Sequence, residues 1–169
     1  MRNFLLGLLL GIIFPPAILV SLSLMGRLPI NAREEPANWE KKFLQAAVAR
    51  SVAHQAPVLK NPYPVTDGNL LAGLKEFHDD CDGCHGTGEK KSTWGTSDFY
   101  PRVPQFGFDP PRLPDWQIYW VLKNGIRYSG MGGNDPGISE EHAWKLAMFL
   151  SRLDSLPPAV EAEWRKRPK

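Results

Sequence analysis

The chain has 169 residues, 43% hydrophobic and 22% charged, which suits one globular domain with an extra segment. Of its 20 Lys and Arg only Arg2 and Arg27 fall in the first 32 residues, which hold no Asp or Glu, so the remainder carries 18 basic against 18 acidic groups and is formally neutral. That balance excludes a basic nucleic-acid binder, and a cysteine count of two, Cys81 and Cys84, excludes a disulfide framework.

Phe4 to Met25 is an uncharged run that as a helix reaches about 33 Å, enough to cross a hydrocarbon core of ~30 Å. Pro15 and Pro16 sit in its middle, a fault that membrane helices tolerate. The competing reading is a cleaved signal peptide, with Ile30-Asn31-Ala32 as a weak site, but the run exceeds the usual signal core of ~7 to 15 residues. Residues 1–26 are therefore expected to be a single-pass anchor in the cytoplasmic membrane, with the rest on the periplasmic side.

Residues 27–65 read as a juxtamembrane helix and linker. Trp39, Phe43, Leu44, Ala47 and Val48 recur near helical spacing as a face expected to pack on the domain, and Pro57, Pro62 and Pro64 end the pattern. A domain is predicted over 66–156. Thr66-Asp67-Gly68 is a capping signal before the apolar stripe Leu70, Leu71, Leu74 and Phe77. From Gly86 to Pro114 there is no period and there are five prolines, a long loop that needs something large to wrap. Helical patterning returns at Asp115 to Lys123, a Gly-rich loop spans Gly125 to Gly137, and a last helix runs from Ser139 to about Leu153 with Trp144, Leu146, Phe149, Leu150 and Leu153 turned inward. Residues 157–169, ending in Arg165, Lys166, Arg167 and Lys169, read as a solvated tail or, through Trp164, a docking surface. With no alternating β-branched stretch, the fold class is all-α with long loops.

Cys81-Asp82-Gly83-Cys84-His85 is Cys-x-x-Cys-His, the attachment signature of c-type haem. Two thiols three positions apart on one turn can add to the two vinyl groups of one porphyrin, and the following imidazole can ligate iron. A thioredoxin-like redox pair would need a preceding strand and a parallel sheet. Zinc would need a fourth ligand, for which His78 is the nearby candidate. One covalent haem c is the expected cofactor, and it answers how a chain with 15 Gly and 16 Pro holds together.

For the sixth position the candidates are Met131, Met148, His54, His78 and His142. Met148 lies in the apolar last helix, His142 at its polar start, and His78 on the motif's own helix. Met131, in Ser129-Gly130-Met131-Gly132-Gly133, makes poor packing sense and good sense as a thioether on a tightly bending backbone. His85/Met131 ligation leaves no open site, so the expectation is an electron carrier rather than an enzyme, with no small-molecule substrate.

These residues resemble class I cytochrome c of the membrane-anchored, single-haem bacterial kind, over about Asp67 to Leu156. Gly73 to Phe77 ahead of the motif resembles the family's first helix, and Trp144 to Leu150 the C-terminal helix that it crosses at Gly73. Phe99-Tyr100-Pro101-Arg102-Val103-Pro104 resembles the segment whose proline carbonyl accepts the His Nδ1 proton, with Pro101 the better match. Asn124 to Met131 resembles the methionine-bearing loop, except that Gly132 stands where relatives commonly have proline. The resemblance implies haem contacts from Arg127, Trp116, Trp120 and Tyr100, and electron exchange with redox proteins at the membrane. The alternatives are a haem subunit of a larger respiratory or dehydrogenase complex, and an enzyme or gas sensor with a displaceable sixth ligand.

Overall fold

The computed structural model describes residues 1–134 and 136–166. It divides into two units, Met1–Asn31 and Ala32–Lys169. Among the described residues the regular elements are all helices, as the sequence predicts. Of the basic tail, Arg167 and Lys169 lie outside the described residues.

The first unit is helix α1, Arg2–Leu24. Its stretch Gly7–Leu24 is long and apolar enough to cross a membrane and is not buried by the protein's own fold. Pro15 and Pro16 lie inside the helix and lack the N–H groups that would bond the carbonyls of Gly11 and Ile12.

The second unit begins with α2, Asn38–Gln55, shorter than the 27–65 segment in which it was expected. Its covered side runs through half-buried Leu44 and Val48 to buried Val52, whereas Trp39 and Phe43 are 72% and 65% exposed. The expected packing face is thus split. Leu44, Val48 and Val52 follow one i, i+4 line and Trp39, Phe43 and Ala47 another; the first is covered along its length, the second only at half-buried Ala47.

Four helices build the core: α3 (Asp67–Asp80), α6 (Asp115–Asn124), α7 (Glu140–Leu150) and α8 (Pro158–Trp164). The short turns α4 (Asp82–His85) and α5 (Thr93–Ser97) carry the site. Thr66 Oγ1 accepts from the Asn69 N–H and starts α3, and Ser139 Oγ accepts from the His142 N–H and starts α7. The α3 stripe buries Leu70, Leu74 and Phe77 against α7, with Leu71 only half-covered. At the crossing, a Cβ on Gly73 would overlap the Lys145 carbonyl of α7, so glycine permits the approach. Tyr119 of α6 stacks on Trp144 of α7 at 4.0 Å.

The predicted tail is part of this core. Pro158 opens α8, Val160 is fully buried, and Trp164 is 1% exposed, edge-on to Phe77 at 5.3 Å and Phe149 at 5.5 Å. Burying an indole contributes about 3 kcal/mol. Trp164 therefore holds the domain together and is not available for docking, and the predicted boundary at 156 falls short of the core.

Candidate functional site

The Cys-x-x-Cys-His segment is one helical turn, α4, following directly on α3, with Cys81 as the shared cap. The end of such a turn leaves carbonyls without intrahelical partners. Each is bonded here by residues further along the chain. Ser92 Oγ donates to the Gly83 carbonyl at 2.5 Å, Gln105 Nε2 to the Cys84 carbonyl at 3.0 Å, and the Phe106 N–H to the His85 carbonyl at 3.1 Å.

Gln105 is the hub of this arrangement. Only 7% exposed, it also donates from Nε2 to the Val103 carbonyl at 2.9 Å and accepts the Ser92 N–H on Oε1 at 2.7 Å. Ser92 in turn caps α5 by accepting from the Gly95 N–H. A Cβ on Gly95 would overlap the Cys84 carbonyl, so α5 lies directly on the motif turn. The long loop after Gly86 is thereby tied to the motif at several points.

His85 Nδ1 lies 2.9 Å from the Pro104 carbonyl. A carbonyl only accepts, so Nδ1 carries the proton and Nε2 is left with its lone pair. Burial pushes the His85 pKa down, and the bond to Pro104 works against that shift. Phe106 stacks on the ring at 4.2 Å and 13°. The imidazole is thus held as a neutral, oriented donor. The partner is Pro104 and not Pro101, because the Val103 N–H bond to the Gly95 carbonyl and the Gln105 bonds place Pro104 beside the ring, and Pro101 precedes that pinned stretch.

Cys81 and Cys84 are both free thiols. Burial, aided by Asp80 and Asp82, pushes the Cys81 thiol up to about 12, and burial also raises Cys84. No sheet surrounds the motif among the described residues, and there no three His, Cys, Asp or Glu side chains gather to hold a metal ion. The thioredoxin-like and zinc readings both fail on these observations.

Met131 is half-buried and packs on the same hydrophobic core as Cys81 and Phe106. Its loop is closed by the Ile126 N–H bond to the Met131 carbonyl at 2.9 Å and by the Met131 N–H bond to Ser129 Oγ at 3.1 Å. Gly130 lies on the Phe99 ring, and Tyr128, 91% exposed, takes a positive φ of 61°. Met148 is fully buried core, as expected. Of the residues predicted around a haem, Trp116 and Trp120 are half-buried on α6, Arg127 is exposed, and Tyr100 donates to Glu40.

Arg102 and Gln105 escaped the sequence reading. Arg102 donates to the carbonyls of Ala32 and Phe99 at 2.6 Å each and to those of Arg33 and Glu34 at 3.0 Å each, and it pairs with Glu35. Its Nε is buried and has no acceptor among the described residues. Gln105 follows Pro104 directly, and a glutamine inside an otherwise apolar, proline-rich stretch is the sequence signal that was available.

Two thiols on one turn, an imidazole held with its Nε2 lone pair available and a buried guanidinium N–H suited to a carboxylate are a donor set that fits haem c. The fold and this site define a c-type cytochrome domain. Residues 68–150 match the family model described as cytochrome C oxidase, cbb3-type, subunit III, and this stretch is a class I-like monohaem c-type domain that binds covalently attached haem and serves electron transfer. No curated protein sequence matches the chain. Among solved structures, a chain of the Kuenenia stuttgartiensis reducing HAO-like protein complex superposes with a TM-score of 0.42 at 20% identity, over 57% of this chain. This chain spans 50% of that one.

Proposed function

We propose that the protein is a membrane-tethered monohaem cytochrome that passes single electrons between redox proteins on the extracytoplasmic side. Cys81 and Cys84 would be the attachment thiols, and His85, through Nε2, and Met131 would hold the haem iron. Arg102 Nε, buried and without an acceptor among the described residues, joins Arg127 as a donor for a haem propionate. When bound, the haem supplies a one-electron Fe(III)/Fe(II) couple whose potential methionine ligation raises.

The observation that carries this reading is the immobilised motif turn: three carbonyls satisfied from the following loop, and His85 fixed between Pro104 and Phe106. An imidazole held in one tautomer and orientation is a stronger and more uniform ligand. Pro104 and Phe106 set its direction, and the packed loop limits water around it. Residues 1–26 anchor the unit, which keeps it concentrated near membrane-bound donors and acceptors.

The decisive experiment is a visible spectrum of the purified full chain and of Met131→Ala, with carbon monoxide added to each after reduction. The wild type is expected to carry one haem per chain, to show the weak far-red band of a methionine-ligated ferric haem and to resist carbon monoxide. Met131→Ala loses the band and binds the gas. Rapid, full binding by the wild type refutes the ligand pair and favours the sensor or enzyme alternative. The matching family's description, an oxidase subunit, supports a second reading in which the chain serves inside a terminal oxidase complex. Extraction from native membranes in mild detergent separates the two, since a carrier purifies alone and a subunit with its complex.

A further inference from the structure

Helix α2 carries two exposed aromatics, Trp39 and Phe43, one turn apart and left uncovered by the domain. At 100° per residue, exposed Lys42 and Arg50 fall on the same side. Every exposed charge on α2 is basic. Its one acid, Glu40, is half-buried and accepts from the Tyr100 hydroxyl. Aromatic rings beside basic groups are the chemistry of a headgroup-level contact, indole and phenyl at the interface and ammonium or guanidinium on anionic phosphates.

We propose that this face of α2 docks on an anionic phospholipid surface and thereby sets the orientation of the haem-binding unit on the membrane. The inference rests on reading α1 as a membrane anchor. Thirteen residues, 25 to 37, separate α1 from α2, so the tether spans at most about 45 Å and holds this face at high effective concentration beside the bilayer. A diffusing protein partner has no such advantage.

Orientation follows because α2 is braced on its own unit. Arg102 grips the carbonyls of residues 32 to 34 just upstream, Arg33 pairs with Asp98 at 2.7 Å, and Tyr100 bonds Glu40 in the first turn. All three contacts arise from the segment Asp98 to Arg102, next to the Pro104 carbonyl that orients His85. Lipid contact by α2 is thus transmitted to the site by short, direct connections.

The test uses the haem-loaded full chain in vesicles of phosphatidylcholine with about 30% phosphatidylglycerol and a trace of lipid bearing a headgroup-level diazirine, with labelled peptides mapped after illumination. Label is expected on both α1 and the peptide 38–55. Removing phosphatidylglycerol, or making Lys42→Glu with Arg50→Glu, lowers the α2 label roughly fivefold or more while α1 stays labelled and the haem spectrum is unchanged. Trp39→Ser with Phe43→Ser lowers it likewise. An α2 left bare beside a labelled α1 overturns the proposal, and is the result expected if a second copy of the chain covers this face instead. An unlabelled α1 refutes the anchor itself.

Discussion

Replacing Gln105 by Leu keeps the approximate volume and removes every polar link through which this side chain ties the motif turn to its loop. The Cys84 and Val103 carbonyls lose a donor and the Ser92 N–H loses an acceptor. At about 1 kcal/mol for each bond, and up to ~3 where a group is stranded away from water, the three losses come to about 3 to 5 kcal/mol. Surface substitutions cost no more than ~0.5 kcal/mol, so the effect is easily distinguished. In urea, with a slope of ~2 kcal/mol per molar, the midpoint of the holoprotein falls by about 2 M without a change in slope. Hydrogen exchange at Phe106, whose N–H bonds the His85 carbonyl, accelerates in parallel. Gln105→Glu is the companion variant, since it retains an oxygen for Ser92 and places a second one where two carbonyls need a donor. It is expected to be at least as damaging as Leu. A loss below ~1 kcal/mol for Gln105→Leu, or a harmless Gln105→Glu, refutes the assignment of Gln105 as the residue that secures the turn.

Three further outcomes are expected. Trp164→Ala destabilises the domain by about 3 to 5 kcal/mol in the same urea assay, because it empties a site bounded by Phe77 and Phe149; a shift like that of a surface change would return residues 157–166 to the status of a tail. A Cβ at Gly132 meets nothing within 4 Å and the Gly132 N–H donates no backbone bond among the described residues, so Gly132→Pro stiffens the methionine loop, raises the imidazole concentration that displaces Met131 by about two- to fivefold and moves alkaline displacement to higher pH; equal sensitivity of wild type and variant removes that account. The Ser97 hydroxyl first, and the Arg33 guanidinium next, hold the Asp98 carboxyl below the usual carboxylate range. Its stabilisation of the Arg33 contact is therefore fully present above pH ~4 and lost only as pH falls through the lower folded-state value, so the acid limb of the urea-unfolding free energy should be shallower in Asp98→Asn than in the wild type, and identical limbs would remove the assignment.

Features whose cause is local were legible in the chain. The caps at Thr66 and Ser139, the stripe through Leu70, Leu74 and Phe77, and the close glycine at position 73 all express the 3.6-residue period or the absence of a Cβ. The Cys-x-x-Cys-His turn belongs with them, since its chemistry is contained in five consecutive residues. The partners of that turn were not legible. Two prolines three positions apart each offered a carbonyl, the resemblance favoured Pro101, and the choice of Pro104 follows instead from Gly95, Ser92 and Gln105, each bonded across a loop without period. A buried glutamine leaves no periodic trace, and neither does an arginine whose guanidinium gathers backbone carbonyls from residues about 70 positions upstream.

Sequence alone determined that the chain is helical, that its first segment is apolar and that a haem-attachment turn follows one particular amphipathic helix. Tertiary structure decided which surface each ambiguous residue faces. It turned Trp164 inward and left Trp39 and Phe43 in solvent, although all three are aromatic residues in helices outside the predicted domain. The physical reason is that hydrophobicity records the free energy available on burial but not the neighbour that supplies the burial. That neighbour exists for Trp164, where α3 and α7 cross, and among the described residues of its own unit Trp39 and Phe43 find none.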